Sequence, residues 1–474
     1  MTMTTTMTDR VSGDSTAVLR IGFSAVMLYW VALHLVFDKI SYNYYEPAVL
    51  FPYAGFDWVE PWAGRGLHLH FVILLLACAA MWVGAFYRLA SLVFAFGFAY
   101  VFLLDKTTYQ NHYYLVTLLG FVFAICPAHR ALSFDALRLK TDATVPKWSL
   151  WLLRFQIGVV YFYGGIAKIN WDWVSGFPMR QVLASKDWHP VIGSICDQEW
   201  LVQVFVWGGL LLDLFIVPAL LWKRTRAFAY VAAVLFHLAN ASLFKIGIFP
   251  WAMIVLTTIF FAPNWPSQLL PSLVTKFRAG NAADVTAPHT RAGWQNTSLK
   301  VCLVAFVIIQ LVLPLRHLAF PENTNWTERN HHFAWHMMLR GKMTAVRFHV
   351  IDKETGRGGV YPLHEDLKLH QVVRMTRDPF MIRQFAKHVA RVSREKGFPN
   401  VEVRVFALCS LNGRKPQLLI DPEIDLASDQ LPDNWIVPLE SDVGGNWKMP
   451  IERWEEVVMK DPIEAVYKKG SKPD

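Results

Sequence analysis

The chain has 474 residues, 54 % of them hydrophobic, with 33 Phe, 20 Trp and a formal net charge of +9. That is too apolar for an ordinary soluble enzyme of this length, and the long apolar runs crowd into the part of the chain before about Phe320. The basic excess argues against a nucleic-acid partner, because it sits in short loops between apolar runs, where topology signals sit.

The opening MTMTTTMTDRVSGDST lacks a basic n-region and a cleavage site, so no removable signal peptide is expected and residues 1–16 read as a disordered tail. Nine apolar segments follow, roughly 17–37, 67–87, 89–104, 112–126, 149–168, 201–221, 227–244, 249–262 and 299–319. The third, fourth and eighth are short for a bilayer. If all nine cross, the loops sort by charge. One side carries Arg10, Arg20, Arg88, Arg130, Arg138, Lys140, Lys147, Lys223, Arg224, Arg226, Lys276, Arg278 and Arg291; the other is mixed or acidic, with Asp38, Glu46, Asp57, Glu60, Asp105, Asp172, Asp187, Asp197 and Glu199. The basic side is then cytoplasmic, and an odd number of crossings leaves the C-terminal part outside. The proline-punctuated stretch 263–298 reads as a cytoplasmic connector.

Beyond Pro321 the pattern changes to that of a soluble domain. Residues 344–361 alternate around an Asp-Lys-Glu-Thr-Gly turn, 377–395 fit an amphipathic helix, and 401–420 alternate around Asn412-Gly413. The expected architecture is mainly α. A polytopic membrane bundle of about nine spans (17–320) precedes a small α+β extracytoplasmic domain (321–474) with an antiparallel sheet. Of the five cysteines, Cys78, Cys126 and Cys302 fall in apolar runs; Cys196 and Cys409 lie among polar residues, and the spacing does not say whether they meet.

Polar groups within spans are costly and default to function. The stretch QIGVVYFYGGIAKINWDW (156–173) sets one ammonium, Lys168, after the paired Gly164-Gly165 and before Trp171 and Trp173. Paired glycines let a backbone or a flat ligand approach, and a desolvated amine can stand neutral and act as a base. The bland alternative is a lysine that snorkels to the interface. Asp105 and Lys106 read as a local ion pair, while Asn111 and His112 should point into protein, with an interfacial histidine as the alternative. His237 and Asn240 share one helix face, as site residues or as an interhelical hydrogen-bond pair. His68/His70 and His331/His332 lack metal-site spacing, and no metal is expected. An amine, an imidazole and amides around one outward-facing apolar pocket suggest proton transfer on a lipophilic molecule.

At QIGVVYFYGGIAKINWDWVSGFPM the chain resembles the vitamin K-dependent γ-glutamyl carboxylase family, as a short bacterial-type HTTM-domain member, and the likeness covers most of the chain from about Val83 to Leu426. Further similar blocks run in the same order: VFLLDKTTYQNHYYL (101–115), WGGLLLDL (207–214), FHLANASLFKIGIF (236–249), 325–338 and IDPEIDL (420–426). The resemblance implies a membrane lyase. Its lysine deprotonates reduced vitamin K, a naphthoquinol; oxygenation by O2 toward the epoxide yields a strong alkoxide base; that base removes a glutamate γ-proton, and the carbanion attacks CO2. By the same resemblance Lys168, His112 and Asn111 are catalytic, while Gly164, Gly165, His237, Asn240, Trp335, Met337 and Met338 hold the quinol. The implied partners are the lipid bilayer, the quinone and a secreted glutamate-containing protein or peptide, with no nucleic acid. Departures concern the glutamate half: Glu328-Arg329-Asn330-His331-His332, Arg340 and Lys342 differ from the animal members. Two readings therefore stand beside carboxylation: epoxidation without it, or a non-catalytic transporter or lipid-binding protein of the same fold.

Overall fold

The computed structural model describes residues 7, 9–244, 246–276, 297–440 and 447–469. All nine apolar segments are helical. Among the described residues seven helices are long and apolar enough to cross a membrane: α1 (Asp14–Val36), α2 (Gly66–Val83), α3 (Tyr87–Leu104), α5 (Lys147–Ala167), α6 (Glu199–Leu221), α7 (Arg226–Leu243) and Thr297–Ala319, the last of which is α9 (Thr297–Val312) with a 3-10 extension. Two are shorter, α4 (Asn111–Ile125) and the apolar helix Phe249–Phe260, whose α-helical part is α8 (Phe249–Thr257). The 15 residues of α4 span only about 22 Å at 1.5 Å per residue. Apolar side chains such as Leu76, Phe96, Phe215, Phe228 and Val301 stand exposed on the outer surface of the bundle. Helices apolar all round belong in lipid, and these features mark a multi-pass membrane protein.

One end of the bundle is stapled by polar contacts. Strand β1 (Arg10–Ser12) pairs antiparallel with β2 (Thr144–Pro146), so the expected N-terminal tail ends earlier than residue 16; residues 1–6 and 8 lie outside the described chain. Gly84 caps α2 at φ 69°, and a Cβ there would sit 2.0 Å from Arg20 Nη1, so only glycine fits the turn into α3. Arg154 donates to the carbonyls of Ile259 and Phe261 at this same end. Most of the expected connector, residues 277–296, lies outside the described chain.

The C-terminal domain is a five-stranded sheet, order β6-β5-β3-β4-β7: β3 (Lys342–Asp352), β4 (Arg357–Val360), β5 (Val401–Leu411), β6 (Gln417–Leu418) and β7 (Lys468–Lys469). β3 and β5 pair antiparallel along their whole length, from Lys342↔Leu411 to Asp352↔Val401. One pair, β4 with β7, is parallel rather than antiparallel, because the C-terminal segment returns to the sheet edge from the far side. Helix α11 (Pro379–Glu395) starts where Asp378 accepts from the Phe380 and Met381 amides and Pro379 fixes the first turn. Its apolar face covers the sheet, with Phe385 edge-on to Phe348 at 5.0 Å.

This domain is seated on the other end of the bundle. Gln371, on α10 (Leu369–Met375), donates to Val49 O and Asp105 Oδ2, and Lys106 donates to Gln384 Oε1. The expected Asp105–Lys106 ion pair is therefore absent. Asp105 is fully buried and turns inward to accept from the amides of Thr107 and Phe51, while Lys106 reaches the other domain. At the second contact, Arg414 grips Asp172 with two 2.7 Å bonds, and Asn412, at the tip of the β5 turn, adds a third at 2.8 Å. Burial alone would raise the Asp172 carboxyl, but these donors win and hold it below its usual value. Cys409 is not in polar surroundings as expected; it is in the sheet core, and all five cysteines are free.

Candidate functional site at the bundle–domain junction

Between the bundle and the sheet domain lies a cavity of about 330 Å³, within the usual range for small-molecule sites. Its floor is formed by α4, α5, α6, α7 and α8. Its roof is the loop 328–342 together with the end of α10, the start of α11 and the residues between them.

Lys168 terminates α5. It is 5 % exposed, and its ammonium donates 3.0 Å back to Gly164 O, one of the carbonyls a helix end leaves without a partner. The same Nζ lies 2.5 Å from Asp213 Oδ2 on α6. Lys168 therefore neither snorkels to the interface nor stands alone. It is half of a buried ion pair, with the Trp173 ring 5.3 Å from Nζ. Asp213 is itself 4 % exposed and lines the cavity. Its position was visible in the sequence as a lone carboxylate within GGLLLDLFIV, but nothing in that run says which helix it meets.

The paired glycines do not line the cavity. A Cβ on Gly165 would lie 2.7 Å from Leu214 Cδ2 and 3.0 Å from the Leu214 amide nitrogen, so Gly165 lets α5 and α6 touch. A Cβ on Gly164 would lie 2.7 Å from Met337 Cε and 3.3 Å from Asp213 Oδ2, so Gly164 clears the space through which Asp213 reaches Lys168. Both glycines thus have a packing role in the structure.

His112 and Asn111 open α4, and both line the cavity. His112 stacks on Phe249 at 5.6 Å, and its Nε2 is buried without a hydrogen-bond partner. Asn111 faces the roof: it accepts from Tyr109 OH at 2.9 Å and donates to His336 O at 3.0 Å. His237 and Asn240 line the far wall, where His237 Nε2 meets Tyr161 OH at 2.7 Å. Met337 and Met338 reach the cavity, but Trp335 does not; its ring is fully buried against Tyr114.

The roof loop is held in an unusual backbone path. Glu328, Asn330, Phe333, Trp335 and Met338 all have φ between 57° and 64°. Non-glycine residues visit this region rarely, so five in one loop must be held there by their surroundings. Tyr109 OH accepts from the Phe333 amide, Arg316 donates to His332 O, and Asn111 donates to His336 O. Glu328, 3 % exposed, is paired at 2.7 Å with both Arg340 and Lys342. Three of the residues that depart from the animal members thus meet at one carboxylate, which holds two cations. Arg374, Arg377 and Asp378 also line the roof; only the fold brings them here. Burial, with the neighbouring Arg340, draws the guanidinium pKa values of Arg374 and Arg377 down. Burial likewise lowers His331 well below its ordinary value and His332 and His336 to about 3, which keeps three roof imidazoles neutral. Among the described residues no group of three or more metal-ligating side chains converges.

The apolar bundle and the sheet domain close one cavity over a buried lysine, the arrangement of a membrane protein whose site lies where the two parts meet. The HTTM domain family matches residues 9–265, and the vitamin K-dependent gamma-carboxylase lumenal domain family matches residues 295–442. The chain belongs to the vitamin K-dependent γ-glutamyl carboxylase family. No solved structure matches it.

Proposed function

We propose that this protein oxygenates reduced vitamin K to its epoxide and uses the base so generated to carboxylate protein-bound glutamate with CO2. The observation that carries the reading is the Lys168 amine, buried on the cavity floor, sharing one cavity with His112 and a cation-rich roof. The lining fits a naphthoquinol: Tyr161, Phe205, Phe236, Phe249 and Met253 supply an apolar, aromatic wall, and a few polar groups converge on it. When bound, reduced vitamin K supplies the oxygen-derived base that no side chain can match. Lys168 Nζ takes the hydroxyl proton, and His112 Nε2, free of other partners, is available to a bound oxygen. The roof loop covers the cavity, and keeping water out there would spare a strong base from being quenched. Arg374 and Arg377, with Arg340 and Lys342 anchored on Glu328, give the roof more positive than negative side chains, a setting for an acceptor carboxylate and for CO2.

The sheet domain is extracytoplasmic in this reading. Both short helices start at the cavity, at Asn111 and Phe249, and end at the basic end, where Cys126 Sγ meets Ser149 O and Arg154 caps Ile259 and Phe261. Nine traversals then leave the domain opposite the basic loops. The test is incubation of purified protein with vitamin K hydroquinone, air, labelled bicarbonate and a glutamate peptide. Epoxide with label in the peptide supports the reading. Epoxide without label favours epoxidation alone, and no epoxide with intact binding returns the protein to a lipid-binding role.

A further inference from the structure

Lys168 can take a proton only through a lone pair on Nζ, yet Nζ contacts two acceptors, Asp213 Oδ2 at 2.5 Å and Gly164 O at 3.0 Å. Both contacts are made through N–H bonds, and one of those protons already faces a carboxylate oxygen placed to receive it. Asp213 is almost fully buried, lines the same cavity, and has its approach cleared by the absent side chain of Gly164. Moving a proton one bond further, from nitrogen to carboxylate, frees the amine without creating an isolated charge on the floor.

We propose that Asp213 is the proton acceptor of the site and that Lys168 is the relay through which it acts. The inference rests on the quinol-oxidising reading given above. An N–H bond of Lys168 breaks first and its proton forms an O–H bond at Asp213 Oδ2, which leaves a neutral amine with a lone pair on Nζ. That lone pair then forms an N–H bond to the proton released as the bound hydroxyl's O–H bond breaks. At the end Lys168 is again an ammonium and Asp213 is neutral. The ammonium thus loses its carboxylate partner just as negative charge appears on the bound molecule, and it pairs with that charge instead. Charge and protons balance with no further reactant. Of the helices packed against α6 near Asp213, α5 brings Lys168 and Tyr161 to the cavity and α7 brings His237, which is bonded to Tyr161. Lys168 is the charged partner of Asp213.

The variants Asp213→Asn and Asp213→Glu separate this from a lysine acting alone. An asparagine keeps the shape and a hydrogen bond but cannot take the proton. Epoxidation should fall by about 10²- to 10⁴-fold in Asp213→Asn and return in part in Asp213→Glu. A lone-lysine base predicts the opposite, since removing the carboxylate frees the amine: activity is kept and its pH profile moves to lower pH. A second measurement needs no turnover. Full-length protein is mixed with vitamin K hydroquinone without oxygen, binding is followed by tryptophan quenching, and the carboxyl region is followed by infrared difference spectroscopy. The wild type should gain a protonated-carboxyl band that Asp213→Asn lacks while still binding. Binding without the band, the same band in Asp213→Asn, or wild-type epoxidation in that variant overturns the proposal. Failure of the wild type to bind hydroquinone at all sinks the quinol reading, and this inference with it.

Discussion

The floor and the roof of the cavity handle charge in opposite ways. On the floor, among helices that meet lipid, the charged pair is Lys168 with Asp213, two groups and net zero. In the roof, Glu328 and Asp378 face Arg340, Lys342, Arg374 and Arg377, a cationic excess. A bilayer offers no counter-ions, so charge there must cancel within the protein. A domain bathed in water can keep an excess and use it on a ligand. The floor is therefore suited to moving a proton, and the roof to holding an anion.

Removing the floor charge should give the largest effect. Lys168→Ala should abolish epoxide formation while the protein still inserts, with partial rescue by a small amine. Lys168→Arg should fail as well, because guanidinium stays protonated. Near-normal epoxide from either variant, read by chromatography, would erase the floor's side of the contrast.

Next comes His112, which stands where floor meets roof. His112→Ala should reduce turnover by about 10²- to 10⁴-fold with quinone binding kept. His112→Phe preserves volume, so activity close to wild type there would reduce His112 to packing. Survival of epoxidation with loss of carboxylation would assign it to the roof's half of the reaction.

The roof should respond in stability. Glu328→Gln leaves Lys342, 2 % exposed, without its carboxylate, and breaking such a buried pair costs about 3–5 kcal/mol. A thermal midpoint unchanged in detergent would show that the roof cations need no internal partner.

Acid should loosen the same region more gently. His332 and His336 have folded pKa values near 3 against an ordinary 6.5, so below pH 6.5 the unfolded chain binds more protons. Each imidazole then removes about 1.4 kcal/mol of stability per pH unit down to about pH 3. Asp105, raised by burial to about 6, works the other way between 6 and its ordinary 3.8 and offsets one of them. Thermal midpoints at pH 7 and pH 5 give the net, and a rise on acidification would contradict the neutral roof.

The smallest perturbation tests only which side the roof occupies. A reporter that matures only after translocation, fused after Asp474, should be active without harming epoxidation. Activity of a cytoplasm-only reporter at that position would mean the crossings are miscounted.

Local chemistry made much of this molecule legible in its sequence. Hydrophobic length alone located all nine helical segments, and period-two alternation with Asp-Lys-Glu-Thr-Gly and Asn412-Gly413 turns located both hairpins, because these signals depend on neighbours in the chain. Lys168, His112 and His237 stood out because polar groups in apolar runs are rare. The partners of those groups were decided only by tertiary structure. Asp213 lies 45 residues from Lys168, and Arg414 reaches Asp172 across 242. Gly164 and Gly165 were legible as thin helix surface, but whether a ligand or a helix filled the space depended on how α6 packs. The roof was the least legible part. Glu328, Arg340 and Lys342 read one by one as departures, yet in the fold one buried carboxylate holds both cations, because a charge leaves water at low cost only when its counter-charge arrives in the same place.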